Sequence, residues 1–411
     1  MGKIELDHTG SGGGVTLSSD GTDLLLDGTA IGGGGGGADL YAANESSPAA
    51  QPSATGANAV AIGDSAISSG EDAFAGPLSR AAGTHSVALG IANNGSSYGA
   101  GGSYAVSLGF QSRAMALQSV ALGSGAYVDS DSSRGFALGE NSFVQQCDYG
   151  LAIGALARVH GGNSATEATA FGSSYASGTS SFAAAIANNT SSYGAKGANS
   201  IVMGYQCKST GANGVSLGQN NIVSGNNATA IGYFNTASGY YTTALGYDNT
   251  TSAAFGHAIG YQAVSSVNGK GAYASGAFSL DGDAQGGMYI LRADTTDATA
   301  EALTTNNSTA GSTNQIVAAS DTCITFDGTI TAMQNGAQAY ASWKIEGLLV
   351  NDGGTTTLAN SATTVIQNSS NWGMALSADN TNNALAITCT GEAAHNIRWV
   401  ANIRTTECTF A

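Results

Sequence analysis

Three pairs of carboxylates stand close enough in sequence to act together: Glu71-Asp72, Asp129/Asp131 and Asp281/Asp283. A glycosidase needs two such groups facing each other across a sugar cleft. Each pair instead lies beside a turn signal or a segment boundary, where solvated acids belong. Asp281-Gly-Asp283 opens like a calcium loop, but no further oxygen ligands follow at a readable spacing. The histidines (His8, His85, His160, His257, His395) are isolated, with no H-E-x-x-H and no G-x-S-x-G elbow leading into a helix. The cysteines (Cys147, Cys207, Cys323, Cys389, Cys408) are scattered, odd in number and without Cys-x-x-Cys. They read as free thiols rather than a zinc or redox site. The glycine run Gly32–Gly37 lacks the Lys-Ser/Thr ending of a phosphate loop and reads as a linker. The expectation is no catalytic, cofactor-binding or metal-binding residue, no cofactor, and no enzyme.

Aromatic residues carry more information. Phe110, Tyr205, Tyr233, Tyr247 and Tyr261 each follow a glycine, and the last three recur every fourteen residues. Stacked one above another they form a ladder, which either stiffens a rod or offers rings to sugars. Trp343 and Trp399 alternate with apolar residues, as core or interface side chains do. Trp372, in "SSNWGM", falls on an expected loop and is a candidate surface contact with Tyr233, Tyr247 and Tyr261.

The elements that hold these residues follow from a repeat. N-A-T-A-I-G-Y (227–233) returns as Y-T-T-A-L-G-Y (241–247). Aligned on its closing glycine, the motif recurs at Gly63, Gly76, Gly90, Gly109, Gly123, Gly139, Gly154, Gly172, Ala185, Gly204, Gly218, Gly232, Gly246, Gly260 and Gly276, with Gly76 and Ala185 as weak members. The commonest step is 14 residues. The two longest share an insert, "IANNGSSYGAGGS" (91–103) and "IANNTSSYGAKGA" (186–198). Before each glycine a large apolar residue alternates with Ala or Ser, as in Val120-Ala121-Leu122, and period two means a strand. Fourteen residues hold two short strands and two turns, and stacking such coils makes a parallel β-solenoid about 70 Å long. The large side chains are expected inside the coil. The Ala/Ser face is expected to admit a neighbouring chain, making the rod an oligomer with threefold winding.

Composition agrees. Among 411 residues 60 are glycine and only 10% are charged, too few charges for an ordinary globular domain. The net charge is −16, with ten acids and one base before residue 73. No basic footprint points to nucleic acid. No apolar run reaches a membrane-spanning length. "MGKIELDHTG" has no leader-like apolar core, which predicts synthesis in a cytoplasm.

Three segments result. Residues 1–57 are a head with a short strand, "KIELDH", a hairpin around Asp20-Gly21 and a glycine-rich linker. Residues 58–280 are the repeat. In residues 281–411 the fourteen-residue beat stops, and alternating runs such as "TCITFDGTITAM" and "NIRWVANIRTTE" read as an antiparallel, jelly-roll-like β-sandwich. The chain as a whole is expected to be all-β.

"NAVAIGDSA", "HSVALGIAN", "QSVALGSGA", "NSIVMGYQC" and "NGVSLGQNN" resemble the head repeat of YadA-like trimeric adhesins. That resemblance implies a left-handed parallel β-roll with three chains side by side. "SWKIEGLLV" and "NIRWVANIRTTE" resemble C-terminal domains of bacteriophage fibre proteins. Together they imply a trimeric virion fibre, on tail or capsid. Its head would meet other virion proteins, and its tip a host-surface glycan or protein. The alternatives are a bacterial trimeric autotransporter adhesin, which needs a secretion signal and a membrane barrel not legible here, and a polysaccharide-cleaving tailspike. The 18- and 19-residue steps, and "SSFAAA" (180–185), depart from the repeat and are expected to bulge as loops.

Overall fold

The computed structural model describes residues 51–410 apart from 189, 337 and 338, together with four short upstream strands. Of these, Ile4–Leu6 pairs antiparallel with Val15–Ser19, which pairs with Leu24–Leu26, followed by Thr29–Ala30. The hairpin strands therefore flank Asp20-Gly21. The turn itself and the Gly32–Gly37 run lie outside the described residues.

The shaft is a parallel β-solenoid in which each coil adds one strand to each of two parallel sheets. One sheet runs through fifteen strands, from Ser53–Ala54 to Val264–Ser265. The other begins at Val60–Ala61 and reaches Gly271–Ser275. Register is kept from coil to coil: Val106 lies beside Val120, and Val120 beside Phe136. The first shaft strand starts at residue 53, slightly ahead of the sequence boundary at 58.

The two faces of each strand are reversed relative to expectation. The small residue points inward: Ala88, Ser107, Ala121, Ala137, Ala152, Ala230 and Ala244 are fully buried. The flanking Leu and Ile point outward: Leu89, Leu138, Ile201, Met203, Ile231, Leu245 and Ile259 remain 36–44% exposed. A fourteen-residue coil closes too tightly to hold a large side chain at each of its strand centres. Its interior takes Ala and Ser, with an occasional Val such as Val202. The Ala/Ser face is the coil's own core rather than a seat for another chain.

Buried alanine stabilises little, so backbone ladders hold the coils together. Val106 N–H donates to Ser119 O and Val120 N–H to Gly135 O, both at 2.9 Å. The turns continue these ladders. Asn227, Tyr241 and Phe255 adopt φ of 56°, 57° and 60° and donate their N–H groups to Ala212, Asn226 and Tyr240 of the preceding coil. Left-handed backbone costs energy for non-glycine residues, and here it is coupled to a bond between coils. The closing glycines share the positive φ, for example 122° at both Gly232 and Gly246; a Cβ on Gly232 would collide with Gly246 O. Gly76 is not among the positive-φ residues, and Ala185 sits at 55°.

The irregular steps are more ordered than expected. "SSFAAA" supplies the in-register strand Phe182–Ala184, beside Thr169–Phe171 and Ile201–Met203. The two inserts loop out only in part. Each starts at a fully buried isoleucine, Ile91 or Ile186, and each returns to the sheet at Gly99–Ala100 or Gly194–Ala195. The 18-residue step is absorbed by longer paired strands, Phe143–Asp148 and Arg158–Thr166, with a register shift between Gln145 and Cys147.

At the end of the shaft the sheet changes sense. Gly271–Ser275 pairs antiparallel with Ala284–Thr295, so shaft and tip share a hydrogen-bonded sheet. Beyond it lie Ile397–Thr409, Thr322–Gln334, Tyr340–Asp352 and Thr355–Asn368, in that order. A smaller antiparallel sheet is centred on Ala384–Thr390, with Gly373–Asp379 on one side and Ala300–Ala302 and Ile316–Val317 as its other partners. The two sheets enclose one core that includes Tyr289, Leu291, Phe326, Trp343, Ile387 and Trp399. No helix occurs among the described residues.

Candidate functional site

Strand register builds the expected tyrosine ladder. Tyr233 lies beside Tyr247 and Tyr247 beside Tyr261, with ring centroids 5.1 and 4.8 Å apart. Phe234 packs edge-on against Tyr233 at 4.5 Å. The rings continue the outward face that carries Ile231, Leu245 and Ile259. Partial desolvation, then the neighbouring Tyr261 and Tyr233, push the Tyr247 phenol up. A second pair, Tyr241 and Phe255, stacks at 5.4 Å on the adjoining turns.

Trp372 is on a loop, as expected, but it is not a surface contact. Its indole is 3% exposed and lies 5.7 Å from Trp399, which stacks on Trp343 at 5.6 Å. The three tryptophans form one core cluster. A loop residue is drawn inward here because the space beside Trp399 is apolar, and Asn368 Nδ2 and Oδ1 hold Trp372 through its backbone.

Of the acidic pairs, Asp129 and Asp283 cap turns. Asp283 accepts bonds from the backbone N–H groups of Leu280, Phe278 and Ser279 at 2.7–2.9 Å; the Leu280 bond first, then the others, hold its carboxyl below the usual range. Asp281 is pushed up by desolvation and by Asp248. Asp129 accepts from Ser132, from Asp131 N–H and from Gln146 N–H. Asp72 pairs with His85 one coil later at 3.2 Å, and His85 stacks on Tyr104 at 4.8 Å. Among the described residues no three His, Cys, Asp or Glu side chains converge as metal ligands.

Three features escaped the sequence reading. The first is a buried asparagine ladder, Asn221, Asn235 and Asn249, in which each Nδ2 of the later two donates to the Oδ1 before it at 3.0 and 2.9 Å. The fourteen-residue recurrence of these asparagines was the available signal. The second is a cation–π column. Arg113 sits over Tyr98 and Tyr127, Tyr127 packs on Phe143, and Arg158 sits over Phe143 and Tyr175. The third is a buried ion pair at the junction. Lys270 meets Glu407 at 2.6 Å with both side chains at most 7% exposed. Gln285, Tyr289 and Thr405 also donate to that carboxylate. Burial, then Glu407, push the Tyr289 phenol well up.

Comparison with known proteins bears on the shaft. Residues 54–75, 100–126, 195–221, 209–235, 224–249 and 237–263 match the family model described as the YadA head domain repeat (2 copies). No curated protein matches the chain. Among solved structures, a tailspike protein, gp49, from Acinetobacter baumannii bacteriophage Fri1, titled a capsular polysaccharide depolymerase, is 9% identical. The match covers 78% of this chain and 67% of that one at a TM-score of 0.19, a superposition too loose to carry an argument. The likeness of the shaft to the YadA head repeat, drawn first from its fourteen-residue beat, is thus found independently over these stretches.

Proposed function

We propose that the protein is a non-enzymatic virion fibre, a phage tail fibre or appendage, formed by three copies packed along their shafts. Residues 1–57 attach it to other particle proteins. The β-roll sets the reach, and the tip (281–411) meets a glycan or protein of the host surface. One observation carries the reading: large aliphatic side chains recur on the outward face of the shaft, exposed at Leu89 and Leu138 and again at Ile201, Met203, Ile231, Leu245 and Ile259. A monomer rarely leaves an apolar patch wider than a few hundred Å² uncovered. A row that repeats with the coil is matched by the same row of another copy, so the rod supplies its own partner. The resemblance to a side-by-side three-chain roll sets the number. Chemistry is not needed along such a shaft, whose fixed ladders give length and whose threefold tip multiplies weak contacts.

Antibody to residues 281–411 should label purified virions at an appendage. Label confined to an outer-membrane fraction would contradict the proposal in favour of an autotransporter adhesin. Host polysaccharide incubated with the protein should keep its size, and depolymerisation would contradict the non-enzymatic role.

A further inference from the structure

The far end of the tip holds a polar cleft. Pairing places Ala284 and Cys408 next to the shaft and Thr295 and Ile397 at the opposite end of the same strands. Around that distal end lie two hollows of about 540 and 380 Å³, within the range of small-ligand sites. They share Asp294 and Arg398, which are direct cross-strand partners, so they form one cleft with a divider.

The divider is positioned but not used up. Arg398 Nε donates to Asp294 Oδ1 at 3.2 Å and Asn307 Nδ2 to Asp294 Oδ2 at 3.0 Å. The Arg398 side chain is nevertheless 87% exposed, which leaves its Nη donors available. Asn335 and Asn396, joined by a 2.9 Å backbone bond, line the larger hollow with Met333, which is 63% exposed. Arg292 lines the smaller hollow and has no ion pair among the described residues. The chain has only 12 Lys and Arg against 28 acids, yet two arginines and one aspartate meet here.

We propose that this cleft binds a carboxylate-bearing saccharide. Asp294 and the asparagine amides suit vicinal hydroxyls, Met333 offers an apolar surface to a ring's C–H face, and Arg292 with Arg398 supplies cationic donors for an acidic sugar. The assignment rests on the fibre reading, which gives the distal end its reason to bind, and it names the ligand class.

The test uses the full chain and two immobilised probes, oligogalacturonate and a neutral galactan oligomer. Wild-type protein should be retained on oligogalacturonate more strongly than on galactan. Arg292→Ala should weaken that retention about tenfold, the scale of one lost charge-assisted bond. Asp294→Ala should weaken the neutral galactan, whose hydroxyls lose an acceptor, and weaken oligogalacturonate less, because it also frees Arg398. Lys344→Ala, an exposed site on the same sheet with the same change in charge, should leave retention unaltered. Equal retention of wild type and R292A, equal loss in K344A, or no retention of wild type would overturn the proposal. All substituted positions are exposed, and unchanged melting separates binding loss from misfolding. Host-cell adsorption by wild type that persists in R292A and D294A would remove this cleft but leave the fibre reading standing.

Discussion

At the scale of single residues, burial separates side chains that hold the rod from those that decorate it. Asn235 donates to Asn221 Oδ1, Ile231 O and Gly246 O and accepts from Asn249, all inside the coil. Asn235→Ala leaves several buried groups unpaired, and each costs about 1–3 kcal/mol. A loss of at least about 2 kcal/mol in denaturant unfolding is expected. The tyrosine ladder is half outside, and each ring pair contributes about 0.5–1.5 kcal/mol. Changing Tyr233, Tyr247 and Tyr261 together to Ser should lower the melting temperature by a few degrees and leave cell adsorption unchanged. Lost adsorption with unchanged melting would reassign the ladder to sugar stacking. The thiols divide in the same way. Burial pushes Cys389 up to about 12 and also raises Cys147, while Cys323 and Cys408 are exposed. At pH 8, below these raised values, Cys389 and Cys147 stay protonated, and Cys207 is buried away from reagent. Alkylation of native protein should therefore modify Cys323 and Cys408, and all five cysteines only after unfolding.

At the scale of elements, the junction carries the clearest energetic prediction. Lys270 belongs to the last turn of the shaft and Glu407 to the last strand of the tip. Removing one partner of a buried pair leaves an uncompensated charge and costs about 3–5 kcal/mol, whereas replacing both with apolar residues is often neutral. Lys270→Met alone should destabilise the tip strongly, and Lys270→Met with Glu407→Gln should recover part of the loss in the same unfolding assay, because the amide carries no charge yet its oxygen still accepts from Tyr289 and Thr405. Neither residue was singled out from sequence, because 137 residues separate them. The strands themselves were legible, since Val-Ala-Leu-Gly at a fixed step leaves little choice of element. Which face lies inside was not. Period two distinguishes two faces, but the narrowness of a fourteen-residue coil decides that Ala121 is core and Leu122 is not. Trp372 shows the same limit, since "SSN" marks a loop but not the Trp399 surface that draws the indole inward.

At the scale of the whole molecule, the reversed faces strengthen the case for assembly while changing its basis. An Ala/Ser exterior would only permit close approach, whereas an exterior of Leu, Ile and Met makes solitary exposure costly. Charge placed in these rows should divide the assembly without unfolding the coil: Leu245→Glu with Ile259→Glu should yield monomers that keep β circular dichroism. Assembly on these rows brings three shafts side by side into a rod. The most direct measurement is native mass by light scattering, combined with small-angle X-ray scattering of the full chain. Three chain masses and a particle far longer than it is wide are expected. A monodisperse single chain at micromolar concentration, with the aliphatic rows open to water, would contradict that assembly.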